Sequence, residues 1–181
     1  MASFPIPMRK ASPPFGTPHG NDPALAALVV SSSDGSRILT WNNVVVQSLD
    51  RADSAWARSF VSVMHKQLRA YPDGVVSLAV LRTGLKPAAK DVRQELTRMI
   101  GEMGRAVHHV FVVEDSGLLA QLLVTVIRGV MMLGGKQAHY SLAVDRADAV
   151  AKALPLVKGA ARSTSLLEEL SRAVDFCCER G

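Results

Sequence analysis

Residues 75–118 read VVSLAVLRTGLKPAAKDVRQELTRMIGEMGRAVHHVFVVEDSGL, and this stretch decides the fold. Val75–Leu81 is a short apolar run between breakers, which is how a strand covered on both faces reads. Thr83-Gly84 ends it. Pro87 suits the first turn of a helix, where its missing N–H is not needed and its φ is already set. Val92, Leu96, Met99, Ile100 and Met103 then recur at helical spacing, and Gly104 closes that helix. Residues 107–114 repeat the strand pattern, with Asp115-Ser116-Gly117 as turn and cap. Strand, helix, strand in this order makes two parallel neighbours joined by a right-handed crossover.

The alternation continues in both directions. Downstream, residues 118–133 carry apolar pairs every four positions (Leu118/Leu119, Leu122/Leu123, Val126/Ile127, Val130/Met131). A helix apolar over so wide an arc is expected to be largely buried. Gly134-Gly135 breaks it, and residues 138–144 read as strand. Asp145 caps a short helix with Ala147, Val150, Ala151 and Leu154, and Asp148 three residues later makes a capping-box variant. After a Gly/Ala/Ser joint at 159–165, a last helix places Leu166, Leu167, Leu170, Val174 and Cys177 along one face.

Upstream, Asp53 or Ser54 caps a helix whose Trp56, Phe60, Val63, Met64, Leu68 and Tyr71 form one stripe, stopped by Pro72-Asp73-Gly74. Residues 24–33 and 37–49 are β-rich and separated by Asp34-Gly35, a hairpin signal. Asn42-Asn43 marks a bulge or a second turn. The expected fold is α/β: a mixed sheet that opens with an antiparallel hairpin, continues in parallel βα units and ends in a C-terminal helix.

The 181 residues then divide into an arm, 1–24, a domain, 25–157, and a helical tail, 158–181. The arm holds six of the nine prolines and reads as flexible. With 48% hydrophobic and 20% charged residues, the chain can fill a core, which excludes disorder throughout. Cys177 and Cys178, the two cysteines, are adjacent, which excludes a disulfide framework and a four-sulfur zinc site. The first residues lack the apolar run of a secretory signal. The apolar stretch 117–133 contains Gln121 and Arg128 and falls short of the roughly 20 residues a membrane span needs. The expectation is no transmembrane segment and cytoplasmic residence.

Four stretches together carry a family resemblance. They are Trp41-Asn42-Asn43-Val44-Val45-Val46, the strand Val75–Leu81 with Gly84 and Pro87 after it, Val112-Val113-Glu114-Asp115-Ser116-Gly117-Leu118, and the helix 147–154. Over residues 25–157 the chain resembles the STAS domain, the fold of bacterial anti-sigma-factor antagonists, in its divergent STAS-like form. The resemblance implies a non-enzymatic module for protein–protein binding or regulation, with a protein partner. Antagonists of that family carry a phosphorylatable Ser in an Asp-Ser-Ser-Gly-like turn after the third strand. The corresponding turn here is Leu81-Arg82-Thr83-Gly84-Leu85-Lys86-Pro87, with no Ser, so the kinase switch does not carry over.

Candidate binding residues come from the carboxyl ends of the strands, where open α/β sheets place their crevices. They are Thr83, Lys86, Lys90, Arg93, Asp115, Ser116 and Gly117. The Ser116 corner can hold an anion or a phosphate, but Asp or Ser before a helix is first of all a cap. A hydrolase using Ser116 would want Gly-x-Ser-x-Gly, and Glu114 stands where the first glycine belongs. No phosphate-cradling glycine motif occurs. His108 and His109 point to opposite faces of a strand, so no metal and no cofactor is expected.

Arg82, Lys86, Lys90, Arg93, Arg98 and Arg105 outnumber Asp91, Glu95 and Glu102, so more than half of the net charge of +5 lies in this tract. Lys86, Lys90 and Arg93 are expected on one helical face. No aromatic residue interleaves with these charges, which argues against nucleic acid. The apolar seam of the last helix can dock on its own sheet or on a second copy as a homodimer. The cysteines read as packing residues of that seam. Alternatives to the interaction module are a small-ligand or lipid-binding carrier, an immunity protein, and the Ser116 hydrolase.

Overall fold

A computed structural model describes residues 29–33, 36–134, 139–158 and 164–179; the arm and the 34–35 turn lie outside them. Six strands form one sheet in sequence order: β1 (Val29–Ser33), β2 (Ser36–Trp41), β3 (Val44–Leu49), β4 (Val75–Leu81), β5 (Val107–Val113) and β6 (His139–Ala143). The first two pairings are antiparallel and the last three parallel. The helices are α1 (Ser54–Ala70), α2 (Lys90–Met103), α3 (Gly117–Gly134), α4 (Arg146–Ala153) and α5 (Thr164–Cys178).

The segment 37–49, grouped as one arm of a hairpin with Asn42-Asn43 as a bulge or a second turn, is two strands, and Asn42-Asn43 is the second turn. Asn42 takes φ 49° in the turn between them, a left-handed conformation that Asn tolerates better than most residues. Asn43 is buried, donating to the Gly74 and Leu156 carbonyls at 3.1 Å each and accepting from the Lys158 N–H at 2.8 Å. The side chain that closes the turn therefore also ties two distant loops to the start of the parallel strands.

A chain that steps in one direction, β3 to β6, through right-handed crossovers must put every crossover helix on the same face. The two cores follow this rule. Val45, Leu49, Val75, Ala79 and Val107 pack under α1, α2 and α3. Val44, Val46, Val76, Leu78, Val80, Val110 and Val112 pack under α4 and α5, which come after the last strand.

Caps appear where the sequence puts them. Asp53 accepts from the Trp56 N–H at 2.9 Å, and Asp145 from the Asp148 N–H at 2.7 Å. Asp148 in turn accepts from the Val144 N–H at 3.0 Å.

Two expectations fail. Helix α2 begins at Lys90, not at Pro87. Leu85 turns into the core at 3% exposure, and its N–H donates to the Arg82 carbonyl at 3.1 Å, so residues 85–89 stay irregular and carry Lys86 outside the helix. Helix α3 is not largely buried: 22% of it is, namely the stripe Leu123, Ile127, Met131 and Gly134. It is the last helix on its face, and it packs on one side only, against α2 and β5. At its end the two helices meet closely, since a Cβ on Gly101 would lie 2.9 Å from the Gly134 carbonyl oxygen.

The seam of α5 docks on its own sheet. Leu170, Ala173, Val174, Phe176, Cys177 and Cys178 are buried against it and Leu166 is buried as well, whereas Leu167, expected in the seam, is 41% exposed. A helix ends with carbonyls that have no partner within it. Here Arg37 donates to the Phe176 carbonyl at 2.7 Å and Arg82 to that of Cys178.

Candidate functional site

The loops after β4 and β5 lie side by side at the carboxyl ends of the strands. The Thr83 hydroxyl donates to the Glu114 carbonyl at 3.1 Å, and the Gly84 N–H to Asp115 Oδ2 at 2.9 Å. The Ser116 N–H donates to Asp115 Oδ1 at 2.8 Å. These two backbone donors hold the Asp115 carboxyl below its usual range. Gly84 and Gly117 take φ 84° and 70°, which lets the loops turn this tightly. Four of the expected site residues, Thr83, Asp115, Ser116 and Gly117, thus form one corner, and its polar groups mostly serve each other. Ser116 is exposed, and both β5 histidines lie in the first half of that strand, about 13 and 17 Å at strand rise from its last residue, Val113.

The basic tract comes apart in three dimensions. Arg82 lies 3.1 Å from Glu114 and 3.7 Å from Asp50. Glu114 also takes Arg146 at 2.7 Å, and Arg146 reaches Asp175 at 3.4 Å. This network locks the end of α5 and leaves Arg82 out of any patch. Arg98 is held by Glu95 and Glu102 at 2.8 and 2.6 Å. Arg105 sits at the opposite end of the sheet, in a depression with His108, His139 and Lys158. Lys86, Lys90 and Arg93 remain, and among the described residues none of them has a carboxylate within 4.0 Å. Lys86 and Arg93 share the rim of a cavity, whereas Lys90 and Arg93 border the groove between α2 and α3.

That cavity, about 110 Å³, lies between the sheet and α1, α2 and α3. Its walls are apolar and aromatic, with Trp56, Phe60 and Phe111 among them. Three polar side chains of the lining are almost wholly buried: Gln47 and His109 at 3% exposure and Trp56 at 6%. Gln47 donates to Ser77 Oγ at 3.3 Å, but its Oε1 has no partner, and neither has Trp56 Nε1. Burial holds the His109 imidazole at about 4, so its ring is neutral at pH 7.

Sequence reading missed this site because it draws on residues far apart along the chain. The one local signal is polar residues at inward positions of apolar strands: Gln47 on β3, Ser77 on β4 and His109 on β5. The histidine pair does split across the sheet, as strand geometry requires. His108, on the other face, meets His139 with ring centroids 6.2 Å apart and Ser141 Oγ at 3.0 Å.

A second feature lies outside the cavity. Along α3, Leu118 is 85% exposed, Met132 76% and Leu133 79%. Helix α3 is long and apolar enough, with mean hydropathy 1.8, to cross a membrane by length and composition; in this fold it is the crossover between β5 and β6.

The two cysteines are the last residues of α5 and are buried between it and the sheet, an environment that disfavours the thiolate. Burial pushes the Cys177 thiol up to about 12 and raises that of Cys178. No family model, curated protein or solved structure matches the chain.

Proposed function

We propose that the chain is a non-enzymatic interaction module of the STAS-like kind, and that a protein partner docks on the outer faces of α2 and α3. One observation carries this reading: α3 is apolar over most of its circumference, with Gln121, Thr125 and Arg128 as its exposed polar stripe, yet it buries only the stripe Leu123, Ile127, Met131 and Gly134 and leaves Leu118, Leu122, Met132 and Leu133 exposed. Contiguous exposed apolar surface on a folded domain marks an interaction site more often than chance.

The neighbouring charge selects the partner. The groove between α2 and α3 has Val126, Val130 and Leu133 along one wall and Lys90 and Arg93 at its border, and Arg128 is exposed on α3 itself. An amphipathic helix with acidic flanks fits both properties. The engagement of Asp115 with backbone donors supports a corner that shapes the surface over one that performs hydrolysis with Ser116.

A photocrosslinking amino acid at Leu122 or Met132, with the exposed α1 position Arg58 as control, tests this in the source cells. The expected result is a discrete heterologous protein captured from α3 only, whose purified acidic segment binds the chain and is lost with Leu122→Glu. Equal capture from all three positions overturns the proposal. So does capture of a second copy, or binding of the purified chain to anionic vesicles through α3 in place of a protein.

A further inference from the structure

We infer that the cavity between the sheet and α1–α3 is a binding site for a small hydroxylated aromatic acid. This site shares Arg93, Val126 and Val130 with the groove of the docking face proposed above, but the inference does not depend on that docking. Four observations lead to it.

The first is that a donor and an acceptor are stranded in the same lining. Trp56 Nε1–H and Gln47 Oε1 are both buried without a partner. Gln47 Nε2 donates to Ser77 Oγ at 3.3 Å, so the carbonyl Oε1 is the end left over. Buried polar groups are normally satisfied, so a pair left open in a cavity points to something that satisfies them. A hydroxyl does both, accepting from the indole N–H and donating to the amide carbonyl.

The second is size and wall chemistry. A cavity of about 110 Å³ is somewhat smaller than the roughly 150 Å³ apolar cavity that takes benzene, so one ring fills it after slight adjustment. Trp56 and Phe60 stack with centroids 5.5 Å apart on one side, and His109 and Phe111 at 6.0 Å on the other. Flat aromatic walls favour a flat guest.

The third is the position of charge. The floor carries none, whereas Lys86 and Arg93 stand at the rim, and Lys86 is exposed. An anionic group on the guest therefore stays at the mouth while the ring enters. The fourth is the loop that forms this mouth. Residues 85–89 are irregular although Pro87 could have begun the helix earlier, and Leu85, Lys86, Pro87 and Ala88 all line the cavity.

Isothermal calorimetry on the full chain with benzene, phenol, benzoate and 4-hydroxybenzoate tests the inference. Phenol is expected to bind saturably and at least about tenfold tighter than benzene, the usual scale for filling one otherwise unpaired polar site. 4-Hydroxybenzoate is expected to bind severalfold tighter than phenol, and that advantage is expected to disappear in Lys86→Gln/Arg93→Gln. Trp56→Phe keeps the ring stack and is expected to erase the preference for phenol over benzene. The ligand series on the unaltered chain needs no variant, so a misfolded variant does not rescue the idea. Equal binding of benzene and phenol overturns it, as does no saturable binding by any of the four. Crystals that show ordered waters on Trp56 Nε1 and Gln47 Oε1 which 4-hydroxybenzoate fails to displace overturn it as well.

Discussion

The two faces of this sheet are built from the same alternating strands and end up unlike each other. Under α4 and α5 the core is largely apolar and tied down. Arg37 and Arg82 take the last carbonyls of α5, and Glu114 holds Arg82 and Arg146 together. Under α1, α2 and α3 there is a cavity with two stranded polar atoms, a buried neutral histidine and a helix whose outer side is uncovered. Most features that cost stability gather on one face, although Glu179 Oε2, just past the end of α5 on the other, is also buried without a partner. That division is what a domain shows when one face holds the fold and the other holds a site.

The sharpest way to break the contrast is to damage the face under α4 and α5. Leu170 is fully buried on α5, and truncation there leaves a hole with little room to collapse. Leu170→Ala is expected to cost about 2–5 kcal/mol in urea unfolding. A loss below about 1 kcal/mol would mean that α5 packs loosely and that the two faces are alike.

Next in size is an acid sensitivity that belongs to the cavity face. His109 has a folded value of about 4 against an ordinary 6.5, so between these pH values the unfolded chain binds a proton that the folded chain refuses. Stability is therefore present in full above about pH 6.5 and is lost as pH falls toward 4, by on the order of 3 kcal/mol. His108 is also lowered, by burial and by His139, and adds to the slope in the same direction. His109→Leu is expected to flatten the larger part of the unfolding profile between pH 6.5 and 4. An unchanged profile would place the acid sensitivity elsewhere.

The smallest effect sharpens the contrast from outside. Leu122 is 49% exposed on α3, so Leu122→Glu is expected to change unfolding free energy by no more than about 0.5 kcal/mol. If it costs several times that, the outer side of α3 is doing structural duty and its exposure says nothing about a partner.

What could be read from the sequence is what depends on neighbours along the chain. The βα alternation, the caps at Asp53 and Asp145 and the seam of α5 apart from Leu167 all follow from local spacing, and the structure has them. What could not be read depends on what stands across from a residue. Pro87 is a good first helical residue taken alone, but Leu85 beside it is drawn into the core and delays the helix to Lys90. The pattern of α3 says that every side could be buried; it does not say how many neighbours the fold supplies. Arg82 belongs by sequence to a basic tract, yet its partners are Glu114 and the Cys178 carbonyl, and the tract dissolves into three separate places. Of the seven expected site residues, Thr83, Asp115, Ser116 and Gly117 meet at one corner, while Lys86 and Arg93 stand over a cavity whose polar lining was visible only as Gln47, Ser77 and His109 in otherwise apolar strands.

The most direct measurement is the unfolding free energy of Gln47→Met/Ser77→Ala, which replaces the hydrogen-bonded pair beneath the cavity with apolar groups of similar size. If the polar residues of this face are kept for binding, the double variant is expected to be as stable as the original chain or up to about 1 kcal/mol more stable, since removing both partners of a buried pair leaves nothing unpaired. A loss of more than about 1 kcal/mol would show that the pair holds the core together, and the two faces would then share one purpose.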